Sequence, residues 1–310
     1  MISKKKILII GKNSFIASHL LKNISISNDI YFYKFSKKIN IKKLEIDKKK
    51  LKKIIIYKHI DFIINFHAHT DIKYSFLNPN YDFYHNSLIH RCIVDALCNL
   101  NYAPFYLCFG TCTQVGTTKL KSKISLNTHS NPETIFDLHK QYNEDYLKVM
   151  KLKYKINGTS LRLSNIFGTG KVHSKKRGVI STLINNAYKK ESITLYGDGK
   201  FIRDLLYIDD LVLGILLALK YSHKLNKNFY YLTSGQGFSF LQLSKIIRKI
   251  LKDNYNKKVN IKFLPWPKET MNIDKRSFVG NPNEFIKLTG WKPKYTLKKA
   301  IIHYLEKNFK

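Results

Sequence analysis

The sequence predicts an α/β protein built on a doubly wound parallel sheet, with a smaller α/β portion toward the C-terminus. Three observations carry that expectation. Short apolar runs alternate with stretches of helical periodicity through the first half of the chain. A glycine, Gly11, follows directly on the first of those runs. And the 310 residues suffice for one large α/β unit, or for a nucleotide-binding domain carrying a smaller substrate domain.

Residues 6–10 form the first strand and 15–24 carry apolar residues at helical spacing. An aromatic-rich strand is expected at 30–35, a helix at 51–58 and a buried strand at 61–66. A helix over 86–100, a buried strand over 104–109, a long amphipathic helix over 133–152 and a strand over 160–163 continue the alternation. Later pieces are helices at 179–190, 209–220, 241–251 and 297–305, with strands at 205–207 and 229–233. No internal repeat or low-complexity linker divides them. The two parts are therefore expected to interleave: residues 1–165 with returning segments at about 204–235, and about 166–203 with 236–310.

Composition narrows the function classes. Hydrophobic residues make up 44% and charged residues 25%, a globular balance. The longest apolar stretch, near 211–219, is too short to span a bilayer, and the N-terminus lacks the apolar core and cleavage site of a secretory signal. The reading is cytoplasmic, without a membrane partner. A formal charge of +34 favours anionic partners. Its lysines, however, are spread over the whole chain among Ile and Asn, with no nucleic-acid motif, so an anionic small molecule such as a nucleotide diphosphate is expected and nucleic acid is not. Cys92, Cys98, Cys108 and Cys112 form no CxxC pair and sit at no zinc spacing with histidine, so free thiols and no metal are expected.

The stretch after the first strand, Gly-Lys-Asn-Ser-Phe-Ile-Ala at 11–17, suits a phosphate. Gly11 lets the chain turn tightly, and the helix that follows aims its N-terminal amides and dipole outward. Asn13, Ser14, Phe15 and Ile16 would form the cradle. Of the usual three glycines only Gly11 remains; Ser14 and Ala17 stand in the other two places, and both are small. A plain strand–turn–helix is the alternative.

Further segments follow in a specific order: Asp-Phe-Ile-Ile-Asn-Phe-His-Ala-His-Thr at 61–70, Asn86, and Phe-Gly-Thr-Cys-Thr-Gln-Val-Gly at 109–116. Then come Leu-Arg-Leu-Ser-Asn-Ile-Phe-Gly at 161–168, Tyr-Gly-Asp-Gly-Lys-Phe-Ile-Arg-Asp at 196–204 with Tyr-Ile-Asp-Asp-Leu at 207–211, and Gly-Trp-Lys-Pro at 290–293. As an ordered set covering nearly the whole chain, they resemble the extended short-chain dehydrogenase/reductase family, the branch that works on nucleotide-activated sugars. The resemblance implies a Rossmann-type NAD(P)-binding domain in the first part and a nucleotide-sugar-binding domain in the second. It also implies that the 61–70 segment matches the family's fourth-strand segment, that His67 and Ala68 lie along the cofactor ribose, and that Asn86 is the helix asparagine of the cofactor site. The hydroxyl of Thr111 would hold the substrate oxygen, with Cys112, Gln114, Asn165 and Arg203 also on the substrate side. Asp209 and Asp210 read as caps of the next helix, Arg162 as merely structural, and His67 and His69 as satisfied core histidines rather than proton shuttles. Many relatives are dimers through a four-helix bundle, which the helices at 86–100 and 133–152 would supply.

At the end of the second strand, where an acid would hold the ribose diol of NAD, the chain has Phe35 followed by Ser36, Lys37 and Lys38. A hydroxyl and two cations suit a 2′-phosphate, so NADP(H) is favoured and NAD(H) is the alternative. Glu45 or Asp47 would contact adenine.

In this family a tyrosine and a lysine four apart on one helix share a face; the tyrosine exchanges the proton and the lysine lowers its pKa and holds the ribose. Lys140 is at the lysine position, but the tyrosine position is Phe136, which transfers no proton. Three readings stay open: a substitution introduced to trap a complex, a proton from His139, Cys112 or a bound water, or a relative that binds without turnover. Cys112-Thr113 replaces the acidic pair that dehydratases carry after the threonine, so dehydration is disfavoured. The expected function is NAD(P)H-dependent reduction of a nucleotide-linked 4-keto sugar. The alternatives are a nucleotide-sugar 4-epimerase with bound NAD, and a catalytically silent relative.

Overall fold

In the computed structural model, which describes residues 2–24, 26–118, 123–170, 178–268, 270 and 272–309, the apolar runs of the first half lie side by side. In chain order the first half comprises β1 (Lys6–Ile10), α1 (Phe15–Asn23), β2 (Asp29–Tyr33), α2 (Ile41–Lys58), β3 (Phe62–Asn65), α3 (Ile72–Leu77) and α4 (Pro79–Phe83). A π-turn (Tyr84–Leu88), α5 (Ile89–Leu97), β4 (Phe105–Thr111), α6 (Ile135–Tyr154) and β5 (Gly158–Leu163) complete it. The second half comprises β6 (Asn165–Phe167), α7 (Val179–Lys190), β7 (Ser192–Tyr196), β8 (Ile202–Tyr207), α8 (Ile208–Lys220) and β9 (Phe229–Leu232). It closes with β10 (Gly237–Ser239), α9 (Phe240–Tyr255), β11 (Asn260–Leu264), α10 (Asn283–Thr289) and α11 (Leu297–Phe309).

Six strands form one sheet in the order β2-β1-β3-β4-β5-β9, and every pair in it is parallel. The doubly wound character is visible within β1. Leu8 and Ile10 join the core under α2 and α5, whereas Ile7 and Ile9 join the core under α1 and α8. A strand whose alternate side chains are all apolar needs a cover on both faces, and the crossover helices supply it. The second core continues without a break into α7, α9 and α11.

The strand at 62–65, although it matches the family's fourth-strand segment, is the third along the chain, as the order of apolar runs predicts, because α2 alone carries the chain from β2 to β3. β2 is consequently the sheet edge. And α2 begins at Ile41, well before residue 51, with the Asn40 side chain accepting from the Lys43 amide at 2.8 Å. Lysine is a good helix former, but a lysine-rich stretch leaves few apolar positions to display a period. Only Leu44 and Asp47 are buried in that first half.

The second half adds a three-stranded sheet, β10-β8-β6, with β8 antiparallel to β10 and parallel to β6, and a parallel pair, β7 with β11. Two carboxylates fasten these pieces. Asp210, expected to cap α8, instead accepts from the Lys294 and Tyr295 amides at 2.7 and 3.0 Å, and its carbonyl accepts from the indole of fully buried Trp291 at 3.0 Å. No side chain caps α8. Asp204 on β8 accepts from the Ser234 amide and hydroxyl and from the Gly235 and Gly280 amides, at 2.8–3.2 Å. Burial pushes this carboxyl up, and those hydrogen bonds pull it back.

Asp204→Ala leaves three backbone amides without their acceptor. It should lower the unfolding free energy by roughly 3 kcal/mol in urea titrations. A loss below about 1 kcal/mol would mean that the loops find other partners.

Candidate active site

The turn after β1 admits only glycine. Gly11 has φ +82°, and a Cβ there would stand 2.7 Å from the His67 amide nitrogen on the neighbouring strand's exit. Ser14 caps α1, its Oγ accepting from the Ala17 amide at 3.1 Å, and buried Ala17 packs the helix onto the sheet. In the place of a second glycine, then, Ser14 spends its hydroxyl on the helix end. Asn13, Ser14, Phe15, Ile16, His67 and Ala68 all line a cavity of about 310 Å³, whose far wall holds Gly110, Phe136 and Lys140.

Histidines stiffen this wall. The Lys37 carbonyl accepts from His85 Nε2–H at 3.1 Å, so His85 Nδ1 accepts from His67 Nε2–H at 2.9 Å. Burial, with His85 and Lys140 nearby, pushes His67 down to about 4. Fully buried Asp82 binds His69 Nδ1 at 2.8 Å and His139 Nδ1 at 2.6 Å. Burial alone would raise its carboxyl, but those histidine hydrogen bonds and one from Asn86 hold it well below the usual range. The reading of His67 and His69 as partnered histidines is thus the observed geometry.

Several expected cofactor contacts lie elsewhere. Asn86, in the π-turn, spends its amide on the His69 backbone, donating to the carbonyl at 2.9 Å and accepting from the amide at 3.2 Å; it shapes the wall without facing the cavity. Asp47 is buried on α2, where its Oδ1 accepts from Tyr33 at 2.9 Å, and Glu45 is exposed and paired with Lys48. Neither lines the cavity, because α2 turns their side chains toward β2 or solvent. At the end of β2, Ser36 is half-buried, its Oγ accepting from the Lys38 amide at 3.2 Å, and Lys37 is exposed.

A larger cavity, about 710 Å³, adjoins the first. Residues from the same segments, 110–113, 163–167 and 178–183, wall both. Asn165, Arg203 and Arg276 line it, with the aromatic rings of Tyr196, Phe201 and Trp266. Arg203 donates to the Arg276 and Asp274 carbonyls, and burial beside Arg276 pushes it down to about 10. Residues 171–177 lie outside the described residues.

Thr111, which follows Gly110 of the smaller cavity's wall and precedes Thr113 of the larger one's, caps the turn 112–115. Its Oγ lies 2.8 Å from Thr113 Oγ, and Thr113 donates on to Asp137. Asp137 is fully buried, with its second oxygen 3.0 Å from Arg276. Two expected substrate contacts are corrected. Cys112 is fully buried among Val115, Ile124, Tyr231 and Phe278, and that burial pushes its thiol far up. Gln114 is also buried, its Oε1 accepting from the Thr111 amide at 2.8 Å and its Nε2 donating to Glu144 at 3.0 Å. Glu144 in turn pairs with Arg162 at 2.6 Å, and Arg162 also reaches Ser130, Gln141 and Tyr231 and stacks 3.7 Å over Phe229. Arg162 is structural, as expected.

Phe136 lies under Lys140, whose ammonium sits 5.6 Å above the ring and is pushed down by burial. Sequence reading missed Asp82, His85, Thr113, Asp137 and Arg276. Asp137 adjoins the tyrosine position, but no spacing rule singled it out, and Arg276 had no local signal at all. The four cysteines are unpaired and buried. Among the described residues no group of acidic, histidine and cysteine side chains is arranged for a metal, and no helix is long and apolar enough to cross a membrane.

The family model described as "NAD dependent epimerase/dehydratase family" matches residues 7–231. A putative UDP-glucose 4-epimerase of Methanocaldococcus jannaschii is 25% identical over 229 residues, 71% of this chain and 75% of that one. A dTDP-4-dehydro-6-deoxyglucose reductase of Escherichia coli is 27% identical over 170 residues, 55% of this chain and 51% of its own. Among solved structures, a UDP-N-acetylglucosamine 4-epimerase from Methanobrevibacter ruminantium in complex with UDP-N-acetylmuramic acid superposes with a TM-score of 0.81 at 18% identity, covering 98% of this chain and 99% of that one.

The depressed His67 has a consequence for stability. Unfolded, it takes a proton at its ordinary 6.5; folded, only at about 4. Stability is therefore full above 6.5 and drains as pH falls through that window. His67→Gln should flatten the fall of Tm between those two values; an unchanged slope would show that His67 titrates alike in both states.

Proposed function

Because the chain belongs to the NAD dependent epimerase/dehydratase family, we propose that it moves a hydride between a nicotinamide cofactor and a carbon of a nucleotide-linked sugar. The observation that carries this reading is the pair of cavities walled by the same three segments, one at the glycine turn with Lys140, the other with two guanidinium groups. The first fits a dinucleotide: a Cβ at Gly11 would fill the space beside the His67 amide, and α1 offers its N-terminus there. When bound, the nicotinamide gives or takes the hydride. Residues 1–165 with about 204–235 hold the dinucleotide, and about 166–203 with 236–310 take the sugar nucleotide.

On the cofactor side, Asn13, Ser14, Phe15 and Ile16 meet the pyrophosphate, His67 and Ala68 the ribose, and Lys140 the nicotinamide ribose. Ser36 and Lys37, with no acid beside them, favour NADP(H) over NAD(H). On the substrate side, Arg203 and Arg276 suit a diphosphate, since a planar fork matches two oxygens. Asn165 and Thr111 face the sugar. The exposed Leu138, Val149 and Leu152 along α6 are the face on which a second copy packs.

We read the reaction as reduction of a nucleotide-linked 4-keto sugar, in line with the similarity to the dTDP-sugar reductase. Epimerisation with retained NAD is the second reading, favoured by the similarity to the putative UDP-glucose 4-epimerase. Following NADPH absorbance with a nucleotide-linked 4-keto sugar separates them. Loss of absorbance in step with product means reduction. Interconversion of C4 epimers with no net change in cofactor means epimerisation. No change in any sugar nucleotide would refute both.

Gly11→Ala should weaken cofactor binding at least about tenfold in calorimetry, the equivalent of ~1.4 kcal/mol. Unaltered affinity would take the dinucleotide away from this turn.

A further inference from the structure

We propose that the proton exchanged at the oxygen on the reacting sugar carbon travels through the hydroxyls of Thr111 and Thr113 to the carboxylate of Asp137, which does the work of the tyrosine absent at position 136. This inference rests on the hydride-transfer reading above. It begins from a gap: the side chain at the tyrosine position is an unsubstituted phenyl ring lining the cofactor cavity. The two side chains that the sequence offers as substitute acids are spoken for. His139, turned about a hundred degrees from Lys140 around α6, is held by Asp82 at 2.6 Å. Cys112 points into an apolar cluster with no exposed surface.

What the site does have is a continuous line of oxygens. Thr113 lines the sugar cavity, and Thr111 stands between Gly110, which lines the cofactor cavity, and Thr113. Thr111 Oγ is within 2.8 Å of Thr113 Oγ, and Thr113 donates to Asp137 Oδ1. Because the carboxylate only accepts, Thr113 gives its proton to Asp137, and its own lone pair is left to accept from Thr111. The line therefore has one direction, from the substrate side to the buried carboxylate. Asp137 cannot turn away: Arg276 holds its other oxygen at 3.0 Å, and the Thr134 hydroxyl accepts from its amide at 2.9 Å. Arg276 is a positioning residue in this scheme.

The atoms balance. In oxidation of a sugar hydroxyl, the C–H bond breaks and its electron pair leaves as hydride to the oxidised nicotinamide. The hydroxyl proton passes to Thr111 Oγ as the Thr111 proton passes to Thr113 Oγ and the Thr113 proton to Asp137. One O–H bond forms for each that breaks, the C=O bond closes, and Asp137 ends as the neutral acid. Reduction runs the same steps backward and returns Asp137 to the carboxylate.

The test compares wild type, Asp137→Asn, Thr113→Val, Thr113→Ser, Phe136→Tyr, and Asp137→Asn combined with Phe136→Tyr. Turnover of the sugar nucleotide is read together with calorimetric binding of NADP(H) and of UDP. Asp137→Asn and Thr113→Val should lower kcat by about 10²–10⁴-fold while KM and both affinities stay within about threefold. Thr113→Ser, which keeps the hydroxyl, should recover most of the turnover that Thr113→Val loses, and Phe136→Tyr should rescue Asp137→Asn. Should Asp137→Asn not fold, the Val/Ser pair at 113 decides alone. Wild-type kcat in Asp137→Asn or in Thr113→Val overturns the relay, as does loss of activity that tyrosine at 136 leaves unrescued. Turnover by Phe136→Tyr but not by wild type also overturns the relay and leaves the hydride-transfer reading intact. Turnover by none of the proteins, with NADP(H) still bound, overturns that reading as well.

Discussion

A guanidinium with no exposed surface must have every donor matched, and Arg162 on β5 is such a group. Glu144 on α6 neutralises it, Gln141, Ser130 and Tyr231 accept from its terminal nitrogens, and the Phe229 ring on β9 covers its face. Glu144 also accepts from Gln114, whose carbonyl oxygen accepts from the Thr111 amide. One buried charge therefore fixes where α6 lies against the ends of β4 and β5. Since α6 carries Phe136, Asp137 and Lys140, the same charge sets the distance between those residues and Thr111. Gly110 belongs to this constraint, for a Cβ there would stand 2.4 Å from Glu144 and 2.6 Å from Gln114.

The second fixed point is the approach of Gly11 to the His67 amide. It sets how closely β1's exit passes β3's exit, and hence the width of the smaller cavity. The histidines around it serve the same end by hydrogen bonding. His85 ties the loop after β2 to the loop after β3, and Asp82 ties the latter to α6. Because these partners sit on α4 and the π-turn, the wide turn is part of the wall.

Much of this was legible in the residues, for identifiable reasons. The sheet was, because apolar runs covered on both faces are hard to hide. The glycine turn was, because its position after a strand has few other uses. Lys140 and Arg203 were found by resemblance and do line the cavities. Asp47, Asn86, Cys112 and Gln114 were misassigned because spacing identifies a segment, not the direction of a side chain. In each case the polar atoms are consumed locally or the group is buried away from the opening. Asp137 and Arg276 were invisible for the opposite reason: they lie 139 positions apart, and only the folded chain makes them partners.

The passage from β2 to β3 through a single helix leaves β2 as an open border of the sheet. Its outer backbone groups are a template for a strand from another copy, and Phe32, 45% exposed, adds an adhesive ring. Two features oppose that growth. Lys12 stands over the Phe32 ring at 4.9 Å, and the chain as a whole carries +34. Like charge repels strongly over a few ångströms and little beyond the screening length of the solvent. Colloidal behaviour thus becomes an electrolyte-dependent property of this fold: in dilute salt the border is guarded, and in concentrated salt the guard thins while the template remains.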